Sequence, residues 1–331
     1  MIAAVLTKRP LGRTGLVVSE VSFGAWAIGG DWGAVAEADA LAGVQVAVDA
    51  GVNLFDTADV YGRGRSEELL GRTVGGRDDV YIATKFCRWD DVADRASYQE
   101  KRVRAYCEAS LRRLRRETID VYQVHSPPTE VIERGEVFDV LRTLQREGKV
   151  RSFGVSVETA AQGRRALEHE GVAVLQVIFN IFRQNLVDEL FPQVEAAGAG
   201  VLARIPLASG LLTGKFTRDT TFPPEDHRTY NREGAAFNVG ETFAGVPFEL
   251  GVELAEELRW IADGRGTMAA AALRFVLDQP QVSAAIPGFK SARQVEENLD
   301  AASVPAFSPA ELERLASFYR DRVRPHIRGD L

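Results

Sequence analysis

Residues 51–71 read GVNLFDTADVYGRGRSEELLG. An apolar run closes on Asp56, the composition turns to Thr, Asp, Tyr, Gly and Arg, and a charged run carrying two leucines follows. A short apolar run bounded by turn residues reads as a buried strand. The later run reads as a helix. Ser66 is of a type that caps helices, and Glu67 and Glu68 suit the positive end of its dipole. The stretch is one strand–loop–helix unit with its polar residues at the junction.

The same unit recurs outward in both directions. On the N-terminal side, VSFGAW (21–26) is strand-like, and residues 36–50 place Leu41, Val44 and Val48 at helical spacing. On the C-terminal side come strand DVYIATK (79–85), a basic amphipathic helix over 98–116, strand TIDVYQVH (118–125), a helix over 133–147 and strand VRSFGVS (150–156). Strand VAVLQVIF (172–179), helix 187–197, strand GVLARIPL (200–207), helix 266–278, strand QVSAAIPG (281–288) and helices 291–302 and 308–322 complete the series. Ahead of it, KRPLGRTGLVVSE (8–20) reads as a hairpin turning at Arg13-Thr14-Gly15, with Gly15 supplying a positive φ. Strands alternating with helices make a parallel sheet. About eight such units over ~300 residues fit a closed barrel better than an open sheet. The expected fold is one α/β domain over residues 1–331, a (β/α)8 TIM barrel with an N-terminal β-hairpin closing its bottom. Residues 214–248 break the rhythm and are rich in Gly, Pro, Thr and Asn. A loop that long is usually functional.

Composition narrows the function. The 331 residues carry 40 Lys and Arg against 47 Asp and Glu, a net charge of −7. Gripping a nucleic-acid backbone needs a cationic surface, so no nucleic-acid partner is expected. No stretch approaches the ~18 apolar residues of a membrane span. The N-terminal MIAAVLTKRP has no basic stretch before its short apolar run and no small-residue cleavage site, so it reads as no signal peptide. Two cysteines, Cys87 and Cys107, make neither a CxxC pair nor a disulfide framework. A reducing cytoplasm fits, with the chain a monomer or weak homo-oligomer.

In a barrel, function gathers where strands end and helices begin. Asp56, Lys85 and His125 end three successive strands, and Tyr61 lies in the loop after the first. Taken singly, each has a plainer reading: a cap, a packing tyrosine, an exposed lysine, a structural histidine. Together they make a proton-delivery system. A phenol is a weak acid, a neighbouring ammonium lowers its pKa, a carboxylate holds that ammonium, and an imidazole orients a carbonyl oxygen. A Schiff-base role for Lys85 would need it unpaired, and Asp56 and Tyr61 beside it argue against that.

With IATK and IDVYQVH following it, GVNLFDTADVYGRGRSEELLG resembles the aldo-keto reductase superfamily, and the likeness runs over essentially the whole chain. The resemblance implies a catalytic tetrad of Asp56, Tyr61, Lys85 and His125. It also implies NADPH/NADP+, used without metal or flavin, to reduce a small-molecule aldehyde or ketone, sugars among them. Ser156 and Gln176 resemble the residues that hold the nicotinamide carboxamide. Leu207, Ser209, Gly210, Leu212 and Lys215, in PLASGLLTGK, look like the loop around the pyrophosphate. In IPGFKSARQVEEN, Lys290, Gln294, Glu297 and Asn298 fall on positions that hold the adenosine, and Lys290, Ser291 and Arg293 on those suited to a 2′-phosphate. No GxGxxG occurs in a strand–turn–helix setting, so the dinucleotide is not expected in Rossmann fashion.

Three residues depart from the family pattern: Val157 where Asn is usual, Arg204 and Ile205 where an aromatic commonly stacks on the nicotinamide, and Ser126 where a bulky residue often follows the histidine. Arg204 is expected at the nicotinamide pocket. Trp26, Trp32 and Trp89 are candidates for the pocket wall, and Cys87 is expected to be inert. A second reading, a slow-turnover NADP-binding regulatory subunit like the channel-associated members, keeps the same barrel.

Overall fold

Lys8–Pro10 (β1) and Val17–Ser19 (β2) pair antiparallel, and between them Gly15 takes φ 76°, the turn conformation expected of it. The structure is a computed structural model describing residues 6–30, 32, 33 and 35–331. Met1–Val5, part of the N-terminal stretch read above, lie outside the described residues.

Beyond the hairpin, eight strands lie side by side in chain order, all parallel. They are β3 (Phe23–Gly24), β4 (Leu54–Asp56), β5 (Tyr81–Phe86), β6 (Ile119–His125), β7 (Val150–Ser156), β8 (Val172–Ile178), β9 (Gly200–Arg204) and β10 (Val282–Ile286). Bridges Val21–Ala285 and Gly24–Gly288 bring the last strand back to the first, and Ser22 N donates to Ala285 O over 2.9 Å. Helices between the strands and after the last one complete a (β/α)8 barrel, as the sequence led us to expect. They are α1 (Trp26–Gly29), α2 (Glu37–Asp49), α3 (Arg65–Thr73), α4 (Glu100–Leu114), α5 (Thr129–Arg134), α6 (Glu136–Arg146), α7 (Ala160–Leu167), α8 (Leu186–Glu189), α9 (Phe191–Ala197), α10 (His227–Tyr230), α11 (Phe248–Glu257), α12 (Met268–Leu277), α13 (Ala292–Leu299) and α14 (Pro309–Phe318).

The period of a strand builds the interior in layers. At the bottom, Leu54, Ala83, Val121, Val174 and Leu202 pack with Leu11, Leu16 and Val18 of the hairpin, which stoppers the barrel. Two residues further along those strands stand Asp56, Lys85, Gln123, Gln176 and Arg204, all buried. An apolar floor therefore carries a polar layer at the C-terminal end. The alternate residues, such as Phe55, Ile82, Phe86 and Tyr122, face outward into the larger core beneath the helices.

Three differences from the sequence reading have physical causes. The first turn of α3 is capped by Gly64 in a left-handed conformation; Ser66 instead donates to Ala25 O (2.8 Å) and meets Thr57 Oγ1 (2.8 Å), tying the loop to β3. Residues 133–147 form two helices because Gly135, at φ 73°, ends α5 and starts α6. α7 was not anticipated, since its buried face is Ala160, Gln162, Gly163 and Ala166, too small and polar to register as an apolar stripe. Among the described residues no helix is long and apolar enough to cross a membrane.

Candidate active site

Asp56, Lys85 and His125 each end, or nearly end, a neighbouring strand, and the loop after β4 returns Tyr61 to them. Gly62 makes that return possible. It takes φ 57°, and a Cβ there would lie 2.1 Å from Gly29 O, so the loop docks backbone to backbone on α1. Tyr61 then stacks on Trp26, ring centroids 5.7 Å apart, and meets His125 edge-on at 5.8 Å. Lys85 Nζ donates to Asp56 Oδ1 (2.6 Å), to Thr57 O (2.8 Å) and to Tyr61 Oη (3.3 Å). Gln176 Nε2 occupies the other oxygen, Asp56 Oδ2, at 2.7 Å. The carboxylate is thus held from two strands, and the ammonium is aimed at the phenol.

The electrostatics follow from burial and these partners. Burial works against the Lys85 charge, but Asp56 and Tyr61 more than offset it and the ammonium is held above its ordinary range. For Tyr61, burial outweighs the downward pull of Lys85, so the phenol stays above its ordinary value, protonated and ready to donate. The lysine tempers the rise without reversing it. His125 is driven well below the usual imidazole range, first by burial and then by Arg88, Lys85 and Arg204, so it is neutral. A neutral imidazole beside a protonated phenol can hold a carbonyl oxygen and give it one proton.

Asp59, two residues before Tyr61, is buried with no hydrogen-bond partner for either carboxyl oxygen among the described residues. Burial, reinforced by Glu67 and opposed by Arg113, pushes it up to about 8. Its folded pKa exceeds the unfolded value of about 4, so the stability it contributes is full below that pH and is lost as pH rises toward about 8. Asp59→Asn, neutral throughout, is therefore expected to stabilise the fold relative to the parent, by up to about 5 kcal/mol near the upper pH and by much less near about pH 5, since a difference of one in pKa is worth about 1.4 kcal/mol. Thermal melts at the two pH values check this; equal differences would contradict it.

Two hollows meet at Tyr61 and His125. One, of about 320 Å3, is a groove lined near the tetrad by Asp56, Gln176, Arg204 and Glu241; further along come Leu207, Ser209 and Gly210, then Lys215, Arg228, Lys290 and Gln294. Ser209 and Gly210 take φ 55° and 102°, which turns the backbone around the groove. The other, of about 660 Å3, opens beside Trp26, Phe237, Tyr230, Arg88, Asp90, Ser126 and Glu158.

The other expected cofactor residues lie close by without lining the groove. Ser156 meets Ser126 Oγ at 3.3 Å, and Leu212 is in the core. Ser291 caps α13, Arg293 pairs with Glu297 at 2.8 Å, and Asn298 donates to Gly288 O. Trp26 borders both hollows and Trp32 the groove, whereas Trp89 is exposed beneath Arg113. Burial pushes the Cys87 thiol up to about 12, which keeps it unreactive.

Arg204 is buried and lines the groove, and it is also paired: Nη1 lies 2.5 Å from Glu241 Oε2, Nη2 lies 3.7 Å from Glu158 Oε1, and Nη2 donates to Val157 O at 3.1 Å. Glu241, Glu158, Arg88 and Arg228 were not anticipated. Arg228 sits in the four-residue α10 and the others in turns, segments too short for periodicity to mark a residue as inward. Only the length of the 214–248 segment pointed toward Arg228 and Glu241.

Residues 20–320 match the family model described as the aldo/keto reductase family. The chain is 32% identical over 294 residues to the protein named aldo-keto reductase YhdN of Bacillus subtilis, with 86% of each chain covered. It is 31% identical to a probable voltage-gated potassium channel subunit beta of Arabidopsis thaliana, covering 95% of this chain and 97% of that one. Among solved structures, the glycerol dehydrogenase AKR11B4 of Gluconobacter oxydans superposes with a TM-score of 0.77 at 31% identity, covering 98% of this chain and 97% of the other.

Proposed function

The chain belongs to the aldo/keto reductase family, and on that premise we propose that it reduces a polar, sugar-like aldehyde or ketone to the alcohol with NADPH. The observation that carries this reading is the chain of hydrogen bonds from Asp56 through Lys85 to the Tyr61 phenol, at the point where the two hollows meet. The cofactor, when bound, supplies a hydride to the carbonyl carbon. Tyr61 gives the carbonyl oxygen its proton, Lys85 stabilises the phenolate left behind, Asp56 keeps Lys85 charged and placed, and His125 orients the oxygen. The groove suits a dinucleotide: turned backbone at Ser209 and Gly210, then cations at Lys215, Arg228 and Lys290 for phosphates. Ser156, Gln176 and Arg204 would hold its nicotinamide end; Leu207, Ser209, Gly210, Leu212 and Lys215 its pyrophosphate; Lys290, Ser291, Arg293, Gln294, Glu297 and Asn298 its adenosine end. The second hollow, with aromatic faces beside charged hydrogen-bonding groups, favours a hydroxyl-bearing substrate.

A panel of aldehydes and ketones, with NADPH followed by its nicotinamide absorbance, tests the reading. Turnover in the ordinary enzyme range of about 1 s−1 or more supports it. The likeness to a channel beta subunit favours a second reading, a slow-turnover NADP-binding sensor. NADPH binding with turnover far below that range across the panel would select it. Replacing Lys290 and Arg293 together with Ala is expected to weaken NADPH about 10- to 100-fold, the worth of one or two charge-assisted bonds, and NADH by twofold at most. Equal kinetics with both cofactors in the parent would contradict the 2′-phosphate assignment.

A further inference from the structure

Arg204 and Glu241 form a buried ion pair in the wall between the two hollows. Their side chains are 9% and 8% exposed. Arg204 rises from the end of β9, two residues beyond Leu202 of the barrel floor, whereas Glu241 arrives from the 214–248 segment. The glutamate is fixed in place: Ser209 Oγ donates to its carbonyl oxygen at 3.2 Å and accepts from Phe243 N at 3.1 Å, and Phe243 and Ala244 are both left-handed at φ 55° and 58°. Of the two residues, only Glu241 borders both hollows, and both residues share the groove with Asp56, Tyr61 and Gln176.

With the nicotinamide in the groove, a cation and its counter-charge would stand beside the ring that changes charge during the reaction. Reduction moves a hydride, two electrons with one proton, from the nicotinamide to the carbonyl carbon, while the Tyr61 proton goes to the oxygen. The ring is neutral before that step and cationic after it. A lone guanidinium here would repel the oxidised ring and so favour the reduced form; a carboxylate at 2.5 Å cancels most of that field. Arg204 cannot relieve the repulsion by losing a proton, because a guanidinium stays charged in proteins.

We propose that Glu241 sets the relative affinity for the two redox forms of the cofactor: by neutralising Arg204 it allows the cationic form to bind, and the Arg204–Glu241 pair fixes the ratio. This rests on the reading of the groove as the nicotinamide site. The carboxylate works through its partner's charge, so Glu241 is a positioning and tuning residue rather than a proton carrier.

The test is to titrate NADPH and NADP+ separately against the parent, Glu241→Gln and the double variant Glu241→Gln/Arg204→Met, reading dissociation constants by cofactor fluorescence and calorimetry. In Glu241→Gln the ratio of the NADP+ constant to the NADPH constant is expected to rise about tenfold, since the cation is left partly unanswered. In the double variant, with both charges gone, it is expected to return to within about threefold of the parent. A loss of packing alone would weaken both forms alike and would not be rescued by removing a second side chain. Should Glu241→Gln not fold, Glu158→Gln removes the other carboxylate facing Arg204, 3.7 Å away, and must move the ratio the same way by about threefold. An unchanged ratio in a variant that binds both forms, or a double variant that departs further from the parent, overturns the proposal. Failure of the parent to bind either form would instead overturn the reading of the groove.

Discussion

Tyr61→Phe is expected to lower kcat by a factor of about 10^2–10^4, the usual worth of a positioned general acid, while the dissociation constant for NADPH stays within about twofold of the parent. The phenol oxygen is bound by Lys85 and its ring meets His125 edge-on, so loss of the oxygen would remove the proposed proton donor and little else. The ring keeps its stacking on Trp26, which makes phenylalanine a close fit in the same space. The pH profile supplies a second readout. Because burial holds the Tyr61 phenol above its ordinary value and His125 far below its own, neither titrates near neutrality. Carbonyl reduction by the parent should therefore lose no activity to these two groups between about pH 6 and 9, its alkaline limb lying above about 10. Steady-state kinetics with a cofactor titration checks the variant. Retention of most of the turnover would remove Tyr61 from its role.

Lys85→Met is expected to cost both stability and turnover. Lys85 is fully buried against Asp56 at 2.6 Å, and removing one partner of such a pair leaves a buried charge with little compensation, a loss of about 3–5 kcal/mol. Gln176 Nε2 still donates to Asp56 Oδ2, which places the expected loss at the lower end of that range. Turnover should fall about as far as in Tyr61→Phe, since a phenolate without its ammonium is a poor product of proton transfer. The double variant Tyr61→Phe/Lys85→Met should be little slower than either single one, because the two act as a unit. Urea unfolding and single-turnover rates measure the two effects; additive losses in the double variant would show that they act apart.

The parts legible in the sequence are those that strand period dictates. In LFD, ATK and VYQVH, alternation puts Asp56, Lys85 and His125 on the same side as Leu54, Ala83 and Val121, so these three emerge where the barrel interior ends. The same rule brought Arg204 inward from GVLAR. What alternation does not reach stayed hidden. The counter-charge of Arg204 is supplied from 37 positions downstream, by a glutamate in a segment built of short turns between Gly214 and Phe248. Arg228 reaches the groove from the same segment, and Arg88 and Glu158 lie just past strand ends, where a side chain's direction depends on loop backbone rather than pleat. α7 was missed for a related reason, its buried face being made of residues too small to stand out.

The measurement closest to the central claim follows the hydrogen itself. NADPH carrying deuterium at the transferable nicotinamide position is mixed with the best carbonyl substrate of the panel, and the alcohol is weighed by mass spectrometry. Direct transfer beside Tyr61 predicts one deuterium on the former carbonyl carbon, and none on that carbon when unlabelled NADPH is used in D2O. An alcohol without the cofactor's deuterium, or with solvent deuterium on the former carbonyl carbon, would contradict the account.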